Sequence, residues 1–266
     1  MSKPLVIATY LAPSLYPLYK FIADFIGDEL DIETKFVVGS NYKQLERGES
    51  DLCFVCGLPY VLLSGYQNVP IEPIAAPVLK GDRYQERPIY FSDVITQKDA
   101  PLNSFNELRG RSWAYNEPKS QSGYGITLYT LLIMGETKGF FGDVIKTGFH
   151  QKSIKAVANG SIDGSAIDSH VLAVELRENP ELLDHIKIID ELGPSTIQPV
   201  VVESSMHESL KIDIQSVLLK LGNSPRSKKI FDFAMIDRFV PVNDRSYDDI
   251  REMWSACKKA GFTKLA

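Results

Sequence analysis

This sequence of 266 residues has few cysteines, no long apolar run and no excess of basic residues. Its three cysteines are an odd number, too few for a disulfide framework. No segment approaches the roughly 20 consecutive apolar residues that a membrane-spanning helix needs. The formal net charge is −5, which argues against general nucleic-acid binding because that role needs a basic face. A local basic pocket stays compatible with this composition.

Two of the cysteines, Cys53 and Cys56, form a C-x-x-C pair in a run that predicts a buried strand. Such a pair can serve redox chemistry or bind a metal, but the second pair that would complete a zinc site is missing. We therefore interpret both as small apolar core residues, and Cys257 as a core residue of a late helix. We expect neither a cofactor nor a metal.

The first residues do not follow the pattern of a signal peptide. Lys3 and Pro4 lead directly into an apolar stretch that predicts a first strand. Two locations stay open on this pattern. The protein is cytoplasmic if Met1 is its native start, and periplasmic or otherwise extracytoplasmic if a leader has been removed.

Apolar residues are plentiful, at 44 % of the chain, and charged residues make up 24 %, as in ordinary globular proteins. Short apolar runs alternate with amphipathic stretches, which indicates α/β layers with largely parallel sheets. The predicted strands cover residues 5–9, 32–38, 52–55, 111–115, 144–147, 165–167 and 200–202. The first predicted helix ends at Gly27, and three more cover 42–47, 153–159 and 171–177. Two further predicted helices, which end at Gly222 and Gly261, close the chain.

One short unit occurs twice: a helix end, a glycine, two residues, an aspartate and a strand. The first copy has Gly48 and Asp51, and the second has Gly160 and Asp163. Glycine permits the left-handed backbone that ends a helix, and aspartate can bind the local backbone of such a turn. The repeat predicts two similar lobes, although chance reuse of a common turn is the alternative.

Two breaks in the alternation predict places where the chain passes between lobes. They are a polar turn that follows a strand near residue 93 and a proline-rich segment near residue 195. We expect lobe 1 to contain residues 1–90 and 200–266, lobe 2 to contain 91–199, and a hinge near 91–95 and 195–200.

The most informative stretch is Ser120-Gln121-Ser122-Gly123, between a predicted strand and a predicted helix. Small polar residues at a helix start cap the backbone N–H groups or leave them available to an anion. Gly123 lets a ligand approach the backbone closely. Two hydroxyls, an amide and a glycine exceed what capping requires, so the stretch predicts an anion site; plain capping is the alternative.

Other candidate residues follow predicted strands, where α/β sheets bind their ligands. His150 and Asp168 are in this position, and Asp168 can equally cap the next helix. Tyr60 follows a Gly-Leu-Pro turn, and Tyr90 lies beside the expected hinge. Both tyrosines are candidates for the wall of a cleft, with half-buried packing as the alternative.

Four stretches, in this order, resemble the phosphate/phosphite/phosphonate-binding proteins of ABC transporters. They are Gly57-Leu-Pro-Tyr60, Tyr90-Phe-Ser92, Ser120-Gln-Ser-Gly123 and the segment from His150 to Asp168. The resemblance implies a type II periplasmic-binding-protein fold: two lobes, each a mixed, mostly parallel sheet flanked by helices, joined by a two-strand hinge. It also implies closure around a small oxyanion for uptake by an ABC permease, and we expect a monomer.

Carried over residue by residue, Ser120 and Ser122 match the family's serines around the anion. The matching cleft residues are Tyr60, Tyr90, His150 and Asp168. Asp168 would hold a ligand amine, a protonated ligand oxygen or His150. Gln121 replaces the small hydroxyl residue usual in the family, and would narrow the site or supply an amide donor. Phosphonate, phosphite and phosphate are the expected ligands.

Two other functions stay open. A cytoplasmic sensor would use the same closure to signal to a partner protein. An enzyme is suggested by the order Ser122, His150, Asp168, but Ser120 occupies the first glycine position of a Gly-x-Ser-x-Gly nucleophile elbow. Relatives of the implied fold act in thiamine-pyrimidine formation, yet no cofactor-binding lysine or iron-ligand group supports that role. We expect no catalysis.

Overall fold

The computed structural model describes residues 3–265, which form two compact units. The strands are β1 Leu5–Thr9, β2 Thr34–Val38, β3 Leu52–Phe54, β4 Ile71–Leu79, β5 Ile89–Gln97, β6 Trp113–Tyr115, β7 Val144–Lys146, β8 Gly164–Asp168, β9 Ile186–Thr196, β10 Val200–Glu203 and β11 Ile236–Pro241. The α-helices are α1 Tyr16–Leu30, α2 Lys43–Glu46, α3 Gly57–Val61, α4 Ile126–Ile133, α5 His150–Ala158, α6 Ser169–Glu178, α7 Glu208–Lys220, α8 Lys228–Phe233 and α9 Asp248–Lys259. None of the helices within residues 3–265 combines the length and apolar character that a membrane crossing requires.

The first unit contains residues 3–89 and 196–248 and is built on a six-stranded mixed sheet. The strand order is β11-β4-β10-β3-β1-β2. Strands β2 and β3 pair in parallel with β1, whereas β10 runs antiparallel to β3 and β4, and β11 antiparallel to β4. Helix α1 packs against β2, and α7 against β4 and β11. The carboxyl ends of β1, β2 and β3 therefore lie at one edge of this sheet.

The second unit contains residues 90–195 and 249–265, with a five-stranded mixed sheet in the order β7-β6-β8-β5-β9. Strand β6 pairs in parallel with β7 and β8, and β5 is antiparallel to β8. Helices α5 and α6 pack against β8. The core is aromatic: Trp113 stacks on Phe141, with ring centroids 4.5 Å apart. Both units confirm the predicted α/β class.

The C-terminal segment belongs to the second unit, although we expected it in lobe 1. Cys257, Phe262 and Leu265 are buried in the same core cluster as Trp113. Cys257 is thus a core residue, as predicted. The spacing of apolar residues shows that α9 has an apolar face, but it does not show which sheet that face covers.

Glycines end some helices as predicted, but not the first one. Gly48, Gly160 and Gly261 have φ angles of 63°, 72° and 67°, in the left-handed region that glycine favours. Gly27 lies inside α1, which continues to Leu30 and is followed by Asp31 with a φ of 53°. Aspartate tolerates this conformation better than most residues, and it replaces the expected glycine stop.

The repeated aspartates have the same role in both units, and it is not the local one that we expected. Asp51 Oδ2 accepts a hydrogen bond from the Val6 N–H at 2.7 Å. Asp163 Oδ2 accepts one from the Ser112 N–H at 2.8 Å. Each aspartate therefore fixes the start of a neighbouring strand, and the echo in the sequence corresponds to an equivalent strand–helix–strand connection in each unit.

Candidate functional site

The predicted anion-binding stretch forms the start of a helix in the second unit. Ser120 is the N-cap, and its Oγ accepts a hydrogen bond from the Gly123 N–H at 3.1 Å. The first turn, Gln121–Gly125, is a π-turn in which the Gly125 N–H donates to the Ser120 carbonyl oxygen at 2.9 Å. Helix α4 continues from it. The Ser120 and Ser122 side chains are buried, so this helix start offers hydroxyls and N–H groups in a dry setting that suits an anion.

His150 reaches this helix start because β6 and β7 are parallel neighbours. Their pairing continues beyond the strands, since the Gly148 N–H donates to the Asn116 carbonyl oxygen at 2.8 Å. His150 Nε2 lies 3.0 Å from Ser122 Oγ and 3.3 Å from Asn116 Nδ2. Ser122 Oγ is in turn 3.4 Å from Ser120 Oγ. The structure thus joins three of the predicted site residues with Asn116, which we did not predict.

Burial keeps the His150 imidazole neutral. The residue is 6 % exposed, and burial lowers its pKa from 6.5 to about 4 because desolvation disfavours the charged ring. Its Nδ1 is buried and has no hydrogen-bond partner among the described residues. His150 is therefore suited to form a hydrogen bond with a ligand and does not supply a fixed positive charge at neutral pH.

Asp168 ends β8 and caps α6. Its Oδ1 accepts hydrogen bonds from the His170 and Val171 N–H groups at 2.9 and 3.3 Å, so the capping role is present; a ligand role stays a prediction. Because β5 is antiparallel to β8, with Ser92 opposite Asp168, the start of β5 lies at this same sheet edge. Tyr90 is buried there, and its ligand role also stays a prediction.

Asp168 does not complete a catalytic triad with Ser122 and His150. In a triad the carboxylate binds the ring nitrogen that faces away from the serine. Here Nε2 faces Ser122, and Nδ1 has no hydrogen-bond partner among residues 3–265. Of the three partners expected for Asp168, His150 is thus not bound in this structure, and the ligand amine and the protonated ligand oxygen stay predictions. The second ring nitrogen of the serine–histidine contact thus has no carboxylate partner among the described residues.

Gln121, the departure from the family pattern, is buried within the second unit. Its Nε2 donates to Ser195 Oγ at 3.1 Å and lies 3.4 Å from Met253 Sδ. Ser195 lies near the end of β9, and Met253 belongs to α9. The amide nitrogen that the sequence offers to a ligand thus has partners inside the protein, and its contact with a ligand stays a prediction.

Tyr60 lies in the first unit and is buried on α3. Its hydroxyl donates to Asp244 Oδ1 at 2.6 Å, and its ring packs edge-on against Tyr247 with centroids 5.1 Å apart. These contacts give Tyr60 a packing role in its unit. Its place in a ligand site stays a prediction.

A pair of tyrosines that the sequence analysis missed lies at the same sheet edge as Tyr60. Tyr10 follows β1 and Tyr42 precedes α2 after β2, and their rings stack with centroids 5.2 Å apart. Burial raises the pKa of Tyr10 to about 12, so its hydroxyl stays a hydrogen-bond donor at neutral pH. A Cβ on Gly39 would lie 2.1 Å from the Tyr10 ring. Their position in the sequence could have identified them, because Tyr10 follows β1 and Tyr42 follows β2, and these two strands are parallel.

The cysteines support the core interpretation. Cys53, Cys56 and Cys257 are buried and form no disulfide. Burial raises the pKa of the Cys53 thiol to about 12, and this thiol donates to Ser50 Oγ at 3.2 Å. A thiol held in this form is unreactive. Within the described part of the chain, no group of three or more His, Cys, Asp or Glu side chains is placed to hold a metal ion.

Comparison with known proteins decides the family. A family model described as the periplasmic substrate-binding protein of a phosphonate ABC transporter matches residues 5–247. The chain belongs to this phosphonate-binding family. Among curated members, it is 25 % identical over 247 residues, 86 % of this chain and 80 % of the relative, to a probable ABC transporter phosphite-binding protein, PhnD1, of Prochlorococcus marinus (strain MIT 9301).

Solved structures of the phosphonate-binding family share the fold. A binding-protein component of a phosphonate ABC transporter from Pseudomonas aeruginosa gives a TM-score of 0.83 over 99 % of this chain and 90 % of that one, at 16 % identity. PhnD1 of P. marinus in complex with methylphosphonate gives a TM-score of 0.82 over 97 % and 98 % of the two chains, at 20 % identity. These similarities confirm the predicted type II periplasmic-binding-protein fold.

Proposed function

We propose that this protein is a non-catalytic binding protein for a small phosphorus oxyanion, namely a phosphonate, phosphite or phosphate. It acts outside the cytoplasm as a monomer and delivers its ligand to an ABC permease. Family membership supports the transport role. The ligand class is supported by PhnD1, which is named for phosphite and was solved with methylphosphonate. The observation that carries the proposal is the buried group of Ser120, Ser122 and His150 at the start of a helix.

This group can bind a tetrahedral anion through neutral donors alone. Two serine hydroxyls can rotate toward the ligand oxygens, and a helix start favours an anion through its backbone N–H groups. His150 adds a buried ring nitrogen without a partner in the described chain. Among the described residues of the second unit, no lysine or arginine is buried. Hydrogen bonds to a charged acceptor are stronger than those between neutral groups. The number and direction of the hydrogen-bond donors therefore select the ligand.

Replacing Ser122 by alanine should weaken methylphosphonate binding by about 1–3 kcal/mol, a loss of roughly 5- to 150-fold in affinity. The physical reason is that one ligand oxygen would be desolvated without receiving the hydrogen bond that this buried hydroxyl supplies. Isothermal titration calorimetry with methylphosphonate, phosphite, phosphate and sulfate measures the effect and ranks the ligands.

Ser165→Ala provides the matched control for this titration. Ser165 is another buried serine of the second unit, and its hydroxyl donates to the Ala114 carbonyl oxygen at 2.9 Å. Its removal should lower stability without a comparable loss of affinity. Equal affinities of the Ser122→Ala variant and the wild type would contradict the proposed anion site, and so would the failure of every phosphorus oxyanion to bind ligand-free wild-type protein.

Asp168→Asn should lower the affinity for 2-aminoethylphosphonate more than that for methylphosphonate. We propose that the buried Asp168 carboxylate receives a ligand amine, which an amide binds less well because it has no charge. Asparagine caps a helix as well as aspartate does, so the unfolding temperature of this variant should stay close to that of the wild type. Asp168→Ala should instead lose about 1 kcal/mol of stability. Equal affinity losses for both phosphonates would remove the amine role.

A further inference from the structure

The first turn of the anion-binding helix has little in its own backbone to hold it in place. This anion-binding turn, Gln121–Gly125, is closed by the Gly125 N–H, which donates to the Ser120 carbonyl oxygen at 2.9 Å. Such π-turns are rare, and those that occur are frequently at functional sites. Two residues of the turn are glycines, which lose more backbone entropy on ordering than any other residue. Contacts outside the turn must therefore help to fix its position.

Gln121 connects the anion-binding turn to the end of β9. The residue is buried, with 1 % of its surface exposed, and its side-chain amide lies 3.1 Å from Ser195 Oγ. A serine hydroxyl can donate or accept a hydrogen bond, so this contact persists whichever amide atom faces Ser195. Because a buried amide is costly without a hydrogen-bond partner, the contact favours this one position of Gln121 and, with it, of the start of the turn.

Tyr124 connects the other end of the same turn to the C-terminal segment 249–265. Its hydroxyl donates to the Thr263 carbonyl oxygen at 3.4 Å, and its ring packs against that of Tyr115 in β6, with centroids 4.9 Å apart. The side chain is buried in the core cluster that also contains Phe262. The C-terminal segment therefore supports the anion-binding turn, although the two are remote in sequence.

Ser122 lies between these two anchored side chains and contacts a different neighbour. Its Oγ lies 3.0 Å from Nε2 of His150, the first residue of α5. The side chains of a binding site have to be held within about 0.5 Å of their productive geometry. A turn that is free to shift by more than this would move the Ser122 hydroxyl away from His150 and from the place where both can reach one ligand oxygen.

We propose that Gln121 and Tyr124 are positioning residues, which hold the anion-binding turn against β9 and the C-terminal segment so that Ser122 is directed toward the bound oxyanion. This inference rests on the proposed function for its ligand. The contacts of Gln121 with Ser195 and of Tyr124 with Thr263 are present without any ligand. Gln121 thus acts on affinity through Ser195, and not as an amide donor to the ligand.

A double-mutant cycle tests the contact of Gln121. Gln121→Met keeps the length of the side chain but removes its amide, and Ser195→Ala removes the partner hydroxyl. We expect each change to lower methylphosphonate affinity by roughly 3- to 10-fold. The double variant should lose no more than the larger of the two single losses, because both changes remove the same contact. Isothermal titration calorimetry measures the affinities, and urea unfolding measures the stability of the same variants.

Tyr124→Phe removes one hydroxyl at the other end of the turn, and it should lower methylphosphonate affinity to a similar extent. Tyr129→Phe is the matched control. Tyr129 lies further along α4 and packs against the same core cluster, so this variant loses a hydroxyl from the same helix without loss of a contact that supports the turn. We expect the affinity of Tyr129→Phe to equal that of the wild type.

Amide hydrogen exchange in the ligand-free protein provides a second measurement. The Gly123 and Gly125 N–H groups form the hydrogen bonds that define the turn. Their exchange should be faster in Gln121→Met and Tyr124→Phe than in the wild type, whereas Tyr129→Phe should show wild-type rates. Unchanged exchange in the first two variants would overturn the inference.

The binding data can overturn the inference in two further ways. If Gln121 contacted the ligand directly, Gln121→Met would lose affinity and Ser195→Ala would not. If the contacts were merely structural, the variants would lose stability but keep the affinity of the wild type. Failure of the proposed function would look different: the wild type would bind no phosphorus oxyanion, while exchange at Gly123 and Gly125 would still rise in the Gln121 and Tyr124 variants.

Discussion

Gly123→Ala should weaken methylphosphonate binding at least tenfold in a protein that still folds. The added Cβ would lie 2.1 Å from Asn116 Oδ1 and 3.3 Å from His150 Cε1, so Asn116 must move. Overpacking of this kind typically costs about 1–3 kcal/mol of folding stability, whereas a tenfold loss of affinity corresponds to about 1.4 kcal/mol of binding free energy. The displaced amide would withdraw from His150 Nε2 and disturb the donors of Ser122 and His150 together. Calorimetric titration and thermal unfolding measure the two effects.

Gly65→Ala is the matched control for this substitution. Gly65 is also helical, and a Cβ built there meets nothing within 4 Å. Alanine at position 65 should therefore leave affinity unchanged and slightly raise stability, since alanine is the better helix former. Wild-type affinity in Gly123→Ala would contradict the view that the Asn116 amide must stay in place for the anion to bind.

Protonation of His150 alone should lower the free energy of unfolding on acidification by on the order of 3 kcal/mol. The pKa of the buried imidazole is about 4, against 6.5 for the ordinary ring. Between these values the unfolded chain binds a proton that the folded protein does not bind. The stability that the neutral His150 contributes is therefore fully present above pH 6.5 and is lost as the pH falls toward about 4. Urea unfolding across this range, in buffers without phosphate, measures the loss.

His150→Gln should flatten this acid-side decline, because glutamine cannot bind the proton in either state. The control His185→Gln changes an exposed histidine of the same unit and should leave the slope as it is in the wild type. The comparison isolates His150 from carboxylates that also titrate on the acid side. Parallel pH profiles for the wild type and His150→Gln would show that the folded protein accepts the proton as readily as the unfolded chain does.

The sequence was sufficient where local chemistry decides the structure. Ser120 caps a helix and brings Ser122 to the same buried turn, as the run of small polar residues predicts. Gly48 and Gly160 both adopt the left-handed backbone that the repeated unit requires. Capping preferences and glycine conformations act over a few residues, so they can be read directly from the chain.

The same reasoning failed where distant segments meet. Asn116 contacts His150 only because β6 and β7 pair in parallel with one register, and sequence patterns do not specify that register. Asp163 binds the start of β6 and not its own turn for the same reason. The direction of Gln121 depends on Ser195 and Met253, which are remote in sequence. These contacts arise from tertiary packing, which periodicity does not report.

The placement of the last residues in the second unit has a practical consequence for anyone who wishes to cut the protein into parts. A polypeptide that runs continuously from 90 to 195 would lack Cys257, Phe262 and Leu265 and would expose the apolar surface that they cover. It would also lose Met253 beside Gln121. A fragment that keeps the core of the second unit therefore needs segment 249–265 rejoined to residues 90–195 through a flexible linker.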